Sequence, residues 1–102
     1  MLIVATGNTT HNLRAAFRGG YDTLPREVTD FTAWLHDALL RKDHEAVRKW
    51  MDAPHARWNH PTPEHFLPLF VALGAAGPEA AAVRLHDSVD FGVLAMDSYK
   101  FT

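Results

Sequence analysis

Apolar residues recur at helical spacing in the first half of the chain. Residues 25–42 carry apolar side chains at intervals of three or four positions, with charged residues on the other face. Val28, Phe31 and Leu35 belong to this series. Such spacing is typical of an amphipathic helix packed on a core. A second helix is predicted over residues 43–51, because Asp43 is a good N-cap.

Other apolar runs favour strands. Residues 2–6 form a short β-branched run ending at Gly7, which suits a strand buried on both faces. Residues 81–86 and 91–101 are predicted to form two more strands, joined by a tight turn at residues 87–90. Strands combined with helices predict an α/β fold, with a mixed sheet and flanking helices.

The most unusual helix is predicted between Thr62 and Gly74. Thr62 suits the N-cap, Gly74 suits a left-handed C-cap, and nearly every residue from Phe66 onward is apolar. We therefore expect this helix to be buried. Glu64 and His65 fall in its first turn, where an unpartnered polar group would cost free energy. A metal ion is the leading candidate to meet them.

Two further histidines lie where chemistry is expected. His11 belongs to the polar loop after strand 2–6, and ligands of open α/β sheets bind at that edge. His60 precedes Pro61, which forces an extended backbone close to the start of the apolar helix. It is a candidate for contacting a substrate or supporting the site, and a structural loop histidine is the main alternative. The other histidines are expected to be surface or structural residues: His36, His44, His55 and His86.

Two histidines alone do not complete a metal site. Catalytic zinc usually has three protein ligands, and non-haem iron(II) oxygenases use two histidines and one carboxylate. Glu64 would formally supply the missing carboxylate. However, the side chains of adjacent helical residues point about 100° apart, so the binding of one ion by both Glu64 and His65 would be strained. The residues alone are compatible with two roles for His65, a metal ligand or a buried hydrogen-bonded histidine. They are compatible with three roles for Glu64: a carboxylate that interacts with the helix dipole, a ligand or an acid–base group.

Composition narrows the class of protein. At 102 residues the chain is at most one domain, and the absence of Cys excludes disulfides and thiolate metal sites. A net charge of -2 without a basic stripe argues against nucleic acid and anionic membranes as partners. No apolar run reaches the length of a transmembrane helix, and the N-terminus lacks the basic region of a signal peptide. We expect a cytoplasmic protein.

Three segments together resemble a known family. Residues 7–14, GNTTHNLR, resemble the "GSG…HNLR" segment of class III extradiol ring-cleavage dioxygenases, in the branch of the 4,5-DOPA dioxygenases. Residues 60–69, HPTPEHFLPL, are similar to the "P-x-EH-[FY]-x-PL" segment of that branch. Residues 73–76 and 92–99 fit its C-terminal pattern, so the resemblance covers essentially the whole chain.

The resemblance implies a metal-dependent enzyme that cleaves the ring of a catechol such as DOPA, with O2 as the second substrate. His11 and His65 match metal-site histidines, and the metal is expected to be non-haem Fe(II) or Zn(II). An imidazole near the ion would also shuttle protons during ring opening. We therefore expect His11 and His65 as metal ligands, and His11 and His60 as catalytic residues.

Members of this branch are roughly twice as long as this chain. Residues 1–102 are therefore expected to form a single partial domain, the C-terminal portion of an extradiol-dioxygenase-like catalytic domain. The missing N-terminal half is expected to supply further metal ligands, and residues 1–102 alone are expected to be inactive. The alternative is a non-catalytic metal- or ligand-binding module, or a subunit that completes its site with another chain. A zinc hydrolase with Glu64 as general base is disfavoured, since the His-Glu-x-x-His spacing is absent.

Overall fold

The computed structural model describes residues 2–102, in which helices come first and short strands follow. The helices are α1 Leu13–Arg18, α2 Arg26–Leu40, α3 His44–Arg48, a 3-10 turn Trp50–Asp52, α4 Ala56–Asn59 and α5 Leu67–Ala76. The strands are β1 Ala82–His86, β2 Val89–Asp90, β3 Leu94–Ala95 and β4 Ser98–Phe101. β1 pairs with β4 and β2 pairs with β3, both antiparallel. The predicted mixture of helices and strands is confirmed. The strands form two small antiparallel sheets, whereas the sequence predicts one mixed sheet.

Helix α2 forms where the amphipathic pattern predicts it and buries its apolar face in the core. Val28, Phe31 and Leu35 are at most 1% exposed. Phe31 and Leu35 pack in a core that also includes Phe66. A second, smaller cluster joins Val28 to β3. Each helix of residues 2–102 is too short, or not apolar enough, to cross a membrane.

Residues 2–6 do not form the buried strand that the apolar run predicts. Leu2 and Val4 are 87% and 73% exposed, and no strand is assigned before α1. The backbone of this segment forms no hydrogen bond with another backbone group of residues 2–102. A strand exists only beside a partner, and the described residues place none there.

The apolar helix begins later than predicted, at Leu67 instead of beside Thr62. Pro68 explains the shift. In a helix starting at Thr62, Pro68 would lie in the interior, where it lacks an N–H and its ring meets the carbonyl of residue 64. With the helix starting at Leu67, Pro68 falls in the first turn, where the missing donor costs nothing. The helix also ends later, at Gly77 with a φ of 97°, instead of at Gly74.

Helix α5 is less buried than its composition predicts. Leu73 is 7% exposed, whereas Leu67 and Val71 are 46% and 62% exposed. One face of the helix therefore packs on the core of residues 2–102, and the other presents apolar side chains to the surface.

Strand β1 forms where predicted, but only residues 98–101 of the predicted second strand, residues 91–101, pair with it as β4. The predicted turn at residues 87–90 is wrong, because residues 89–90 form strand β2 of a small hairpin, β2–β3, inserted between β1 and β4. Phe91 and Gly92 turn this hairpin with positive φ values of 52° and 76°. Strand β3 of this hairpin lies against the loop that carries His11. Thr9 of that loop donates its N–H to the carbonyl of Ala95 at 3.2 Å.

Candidate active site

The structure brings together two histidines that are far apart in the sequence. The rings of His11 and His65 stack with their centroids 3.5 Å apart and their planes tilted by 15°. His65 is exposed and His11 is half-buried. The pair therefore lies at the surface formed by residues 2–102.

Backbone hydrogen bonds hold the two histidine segments against each other. Asn8 donates its N–H to the carbonyl of His65 at 2.8 Å, and His11 donates its N–H to the carbonyl of Asn59 at 2.7 Å. Asn12 then donates its side-chain amide to the carbonyl of Trp58 at 2.7 Å. The loop at residues 7–12 thus runs alongside residues 58–65, which places the two rings next to each other.

Gly7 permits this close approach. A Cβ atom at position 7 would overlap the carbonyl oxygen of His65 and lie 3.0 Å from Cγ of Pro68. A glycine is needed wherever one backbone approaches another this closely. In any other residue the Cβ would clash with the segment that carries His65 and push it away from the loop that carries His11.

We expect Gly7→Ala to lower the free energy of unfolding by about 1–3 kcal/mol, the usual cost of overpacking a filled site. Gly74→Ala is the matched control, because a Cβ there meets nothing within 4 Å and Gly74 lies inside helix α5. That control should stabilise the protein by about 0.5–1 kcal/mol through helix propensity. Urea unfolding of both variants checks the prediction, and an unchanged stability of Gly7→Ala would contradict it.

His60 lies behind the pair, in the core. It is 1% exposed, and its Nε2 lies 2.6 Å from the carbonyl oxygen of Thr9. A carbonyl only accepts, so Nε2 carries the proton. Nδ1 is then an unprotonated acceptor, and it is buried without a hydrogen-bond partner among the described residues. The ring packs at 4.7 Å from Phe66 and 5.8 Å from Trp50, measured between centroids.

This burial fixes the charge of His60. Desolvation lowers its pKa from 6.5 to about 4, in spite of the hydrogen bond to Thr9, which favours the protonated ring. The ring is therefore neutral at neutral pH. Its only N–H is bound to the loop that carries His11, so His60 contacts the site through Thr9. The expected catalytic role of His60 stays a prediction, and this geometry favours a positioning form of it.

The pKa of His60 predicts a specific loss of stability in acid. The unfolded chain takes up a proton near pH 6.5, whereas the folded chain resists until about pH 4. The contribution of the neutral ring to the free energy of unfolding is therefore fully present above pH 6.5. It falls by about 3 kcal/mol as the pH drops to 4.

The control for this prediction is His60→Gln, which can still donate to Thr9 but does not titrate. Thermal unfolding of both proteins between pH 7 and 4 measures the difference. The wild-type protein should lose more stability than the variant over this range. Parallel curves would show that the His60 ring is not protected from protonation.

His11 of the pair and the neighbouring Glu64 have shifted pKa values. Burial lowers the pKa of His11, and the neighbouring His65 ring lowers it further. The pKa of Glu64 is lowered first by a hydrogen bond with the Thr62 side chain, then by its own backbone, and less by the two imidazoles. Glu64 is thus an ionised, exposed carboxylate at the edge of the pair.

The two imidazoles are donor groups of the type that a metal site with histidine ligands uses. A metal ligand must be a neutral imidazole, and the lowered pKa of His11 favours that form. A bound ion lies near the plane of each ring, so rings stacked at a tilt of 15° share one ion only after one side chain rotates. Exposed His65 is free to do so. Within residues 2–102, His, Cys, Asp and Glu form no group of three that could hold a metal ion. A complete site needs ligands from elsewhere.

Sequence reasoning missed two buried polar residues beside the site. Thr10 and Asn59 are both 0% exposed. Asn59 donates its side-chain amide to the carbonyls of Glu27 and His55, at 2.9 and 3.0 Å. Neither residue belongs to a periodic pattern, so no local signal marked them. Three of the remaining histidines bind other side chains through their rings: His36 binds Tyr99, His55 binds Asp30 and His86 binds Ser88.

Comparisons with known proteins agree on one family. The family model described as the catalytic LigB subunit of aromatic ring-opening dioxygenase matches residues 1–101. The 4,5-DOPA dioxygenase extradiol of Beta vulgaris is 39% identical over 103 residues, which cover 100% of this chain and 38% of that protein. The protein of the same name from Portulaca grandiflora is 40% identical over 84 residues, covering 80% of this chain and 31% of that protein.

A solved structure is also similar. The crystal structure of an uncharacterized protein from Escherichia coli K12 matches with a TM-score of 0.75 and 27% identity, over 91% of this chain and 39% of that chain. The chain thus spans less than two fifths of the length of these proteins. Since the family model matches all but the last residue, the chain belongs to the family of the catalytic LigB subunit of aromatic ring-opening dioxygenases.

Proposed function

We propose that this chain forms part of the active site of an extradiol dioxygenase, which opens the ring of a catechol such as DOPA with O2. The observation that carries the proposal is the pair of stacked imidazoles, His11 and His65, 3.5 Å apart at the surface. The names of the relatives from Beta vulgaris and Portulaca grandiflora support the reaction and the DOPA substrate.

In this proposal His65 is a metal ligand and His11 is a ligand or an acid–base group, with non-haem Fe(II) or Zn(II) as the metal. A bound metal ion would supply Lewis-acid activation of the diol and of O2, and His65, with His11 in its ligand role, would be among the residues that hold it. A neutral His11 ring can accept a proton from a diol hydroxyl through a free ring nitrogen. His60 holds the backbone of Thr9, two residues before His11, and so keeps the His11 ring in place.

The remaining ligands are proposed to come from a segment outside residues 2–102. Two observations support this. The relatives are much longer than the chain, which covers 38% of the Beta vulgaris protein. In addition, apolar side chains that would suit an interface are exposed, including Leu2, Val4 and Val71. Exposed apolar surface of this kind marks a site of contact with other protein.

One observation favours a second candidate function. Residues 2–102 hold no group of three metal-binding side chains. A non-catalytic metal- or ligand-binding module, or a subunit whose site is completed by another chain, would use the pair as one part of its site.

An oxygen-uptake assay distinguishes the two functions. A protein carrying this chain is loaded with iron and given DOPA, catechol or, as control, tyrosine, which lacks the second hydroxyl. The dioxygenase predicts oxygen uptake with the two diols only, and a product with the mass of the diol plus O2. Tight iron binding without oxygen uptake would support the non-catalytic module.

A further inference from the structure

The strongest feature that the proposed function does not use is the side chain of Thr10. It is 0% exposed, and its hydroxyl makes two hydrogen bonds to distant backbone. The hydroxyl donates to the carbonyl of Val93 at 2.6 Å and accepts from the N–H of Ala95 at 2.7 Å. Both functions of the hydroxyl are therefore satisfied, at short distances, in the interior of the protein.

These contacts attach the His11 loop to strand β3. Besides the two bonds of Thr10, Thr9 donates its N–H to the carbonyl of Ala95 at 3.2 Å. Three polar groups of residues 93–95 thus bond to Thr9 and Thr10, much as they would to a neighbouring strand. The Thr10 hydroxyl replaces a backbone group in this arrangement, which makes the attachment depend on one side chain.

Thr10 also precedes the residue that forms the pair. His11 has its backbone N–H bound to Asn59 and its ring stacked on His65. The loop is therefore held from two sides: β3 holds Thr10, and residues 59–65 hold His11. Releasing one side allows the loop to shift relative to His65, and a shift of about 1 Å in a catalytic group can cost about a hundredfold in rate.

We infer that Thr10 is a positioning residue, whose hydroxyl sets the placement of the His11 ring on His65. The inference rests on the proposed function for its effect on catalysis, but its effect on the ring pair can be measured without any activity. The positioning depends on the hydroxyl and not on the methyl group of Thr10, so serine should preserve it and valine should abolish it.

The test compares Thr10→Val with Thr10→Ser. Thr10→Val keeps the shape and removes the hydroxyl, leaving the Val93 carbonyl and the Ala95 N–H unpaired. In NMR spectra of the metal-free protein, the contacts between the His11 and His65 ring protons should be lost in Thr10→Val and retained in Thr10→Ser. In the iron-loaded protein, kcat with DOPA should fall by about tenfold to a hundredfold in Thr10→Val, with KM within about twofold.

Thr32→Val is the matched control, because the Thr32 hydroxyl donates to the carbonyl of Val28 at 3.0 Å, within helix α2. It should leave the ring contacts and kcat unchanged. If Thr10→Val does not fold, Thr10→Ser decides alone: a folded serine variant without the ring contacts would overturn the inference. A folded Thr10→Val with wild-type ring contacts would overturn it too.

The two proposals fail in different ways. If the wild-type protein has no oxygenase activity but Thr10→Val loses the ring contacts, the proposed function fails and the positioning role stands. If the wild-type protein is active and Thr10→Val retains both its ring contacts and its kcat, the positioning role alone fails.

Discussion

Replacing His65 with alanine should reduce the bound metal to less than about a tenth of the wild-type content, since removing one of few ligands takes most of the affinity with it. His65 is exposed, so its truncation leaves no cavity in the core. The variant should therefore fold normally. Elemental analysis after iron loading and dialysis measures the effect, and thermal unfolding confirms the folded state.

The control for this experiment is His86→Ala. His86 is an exposed histidine whose Nε2 lies 2.8 Å from the hydroxyl of Ser88. It should keep the wild-type metal content. A metal content in His65→Ala equal to that of the control would remove His65 from the ligand set.

The second large effect is expected from His11→Ala, which should reduce turnover of DOPA by about a hundredfold to ten-thousandfold, the range of acid–base catalysis. Oxygen uptake under saturating DOPA measures it. The metal content of the same variant separates the two roles proposed for His11. A ligand role predicts a loss of metal, whereas an acid–base role predicts full metal, low kcat and a missing limb of the pH–rate profile.

His55→Ala is a suitable control for His11→Ala, because the His55 ring lies 3.1 Å from the Asp30 carboxylate at the surface. Its turnover should remain at the wild-type level. Near-normal turnover in His11→Ala would exclude the His11 ring from the chemistry and leave its stacking on His65 without a catalytic meaning.

The helices could be predicted where the signals are local. Helix α2 follows from the spacing of its apolar residues, and α3 from its cap, since the Asp43 carboxylate accepts from the N–H of Ala46 at 3.1 Å. The cap at Thr62 predicts that α5 starts at residue 63, four residues before its actual start at Leu67, because a cap signal takes no account of Pro68. A proline that would fall in a helix interior is the stronger signal, since its effect is steric.

Whether residues 2–6 form a strand could not be predicted from those residues alone. Apolar, β-branched residues favour a strand, but a strand forms only through hydrogen bonds to a neighbour. Among residues 2–102 no backbone group provides that neighbour. The same limit applies to the small hairpin β2–β3, whose turn depends on positive φ values at Phe91 and Gly92.

By itself, the sequence determined which side chains were candidates for the site: His11 after an apolar run, and His65 before an apolar helix. It could do so because both signals are short-range, a polar residue next to an apolar segment. Only the tertiary structure decided that the two rings stack, that His60 lies in the core and that Thr10 joins the loop to β3. Those contacts link residues about 50 to 85 positions apart, and such distances depend on how the whole chain packs, which no local pattern encodes.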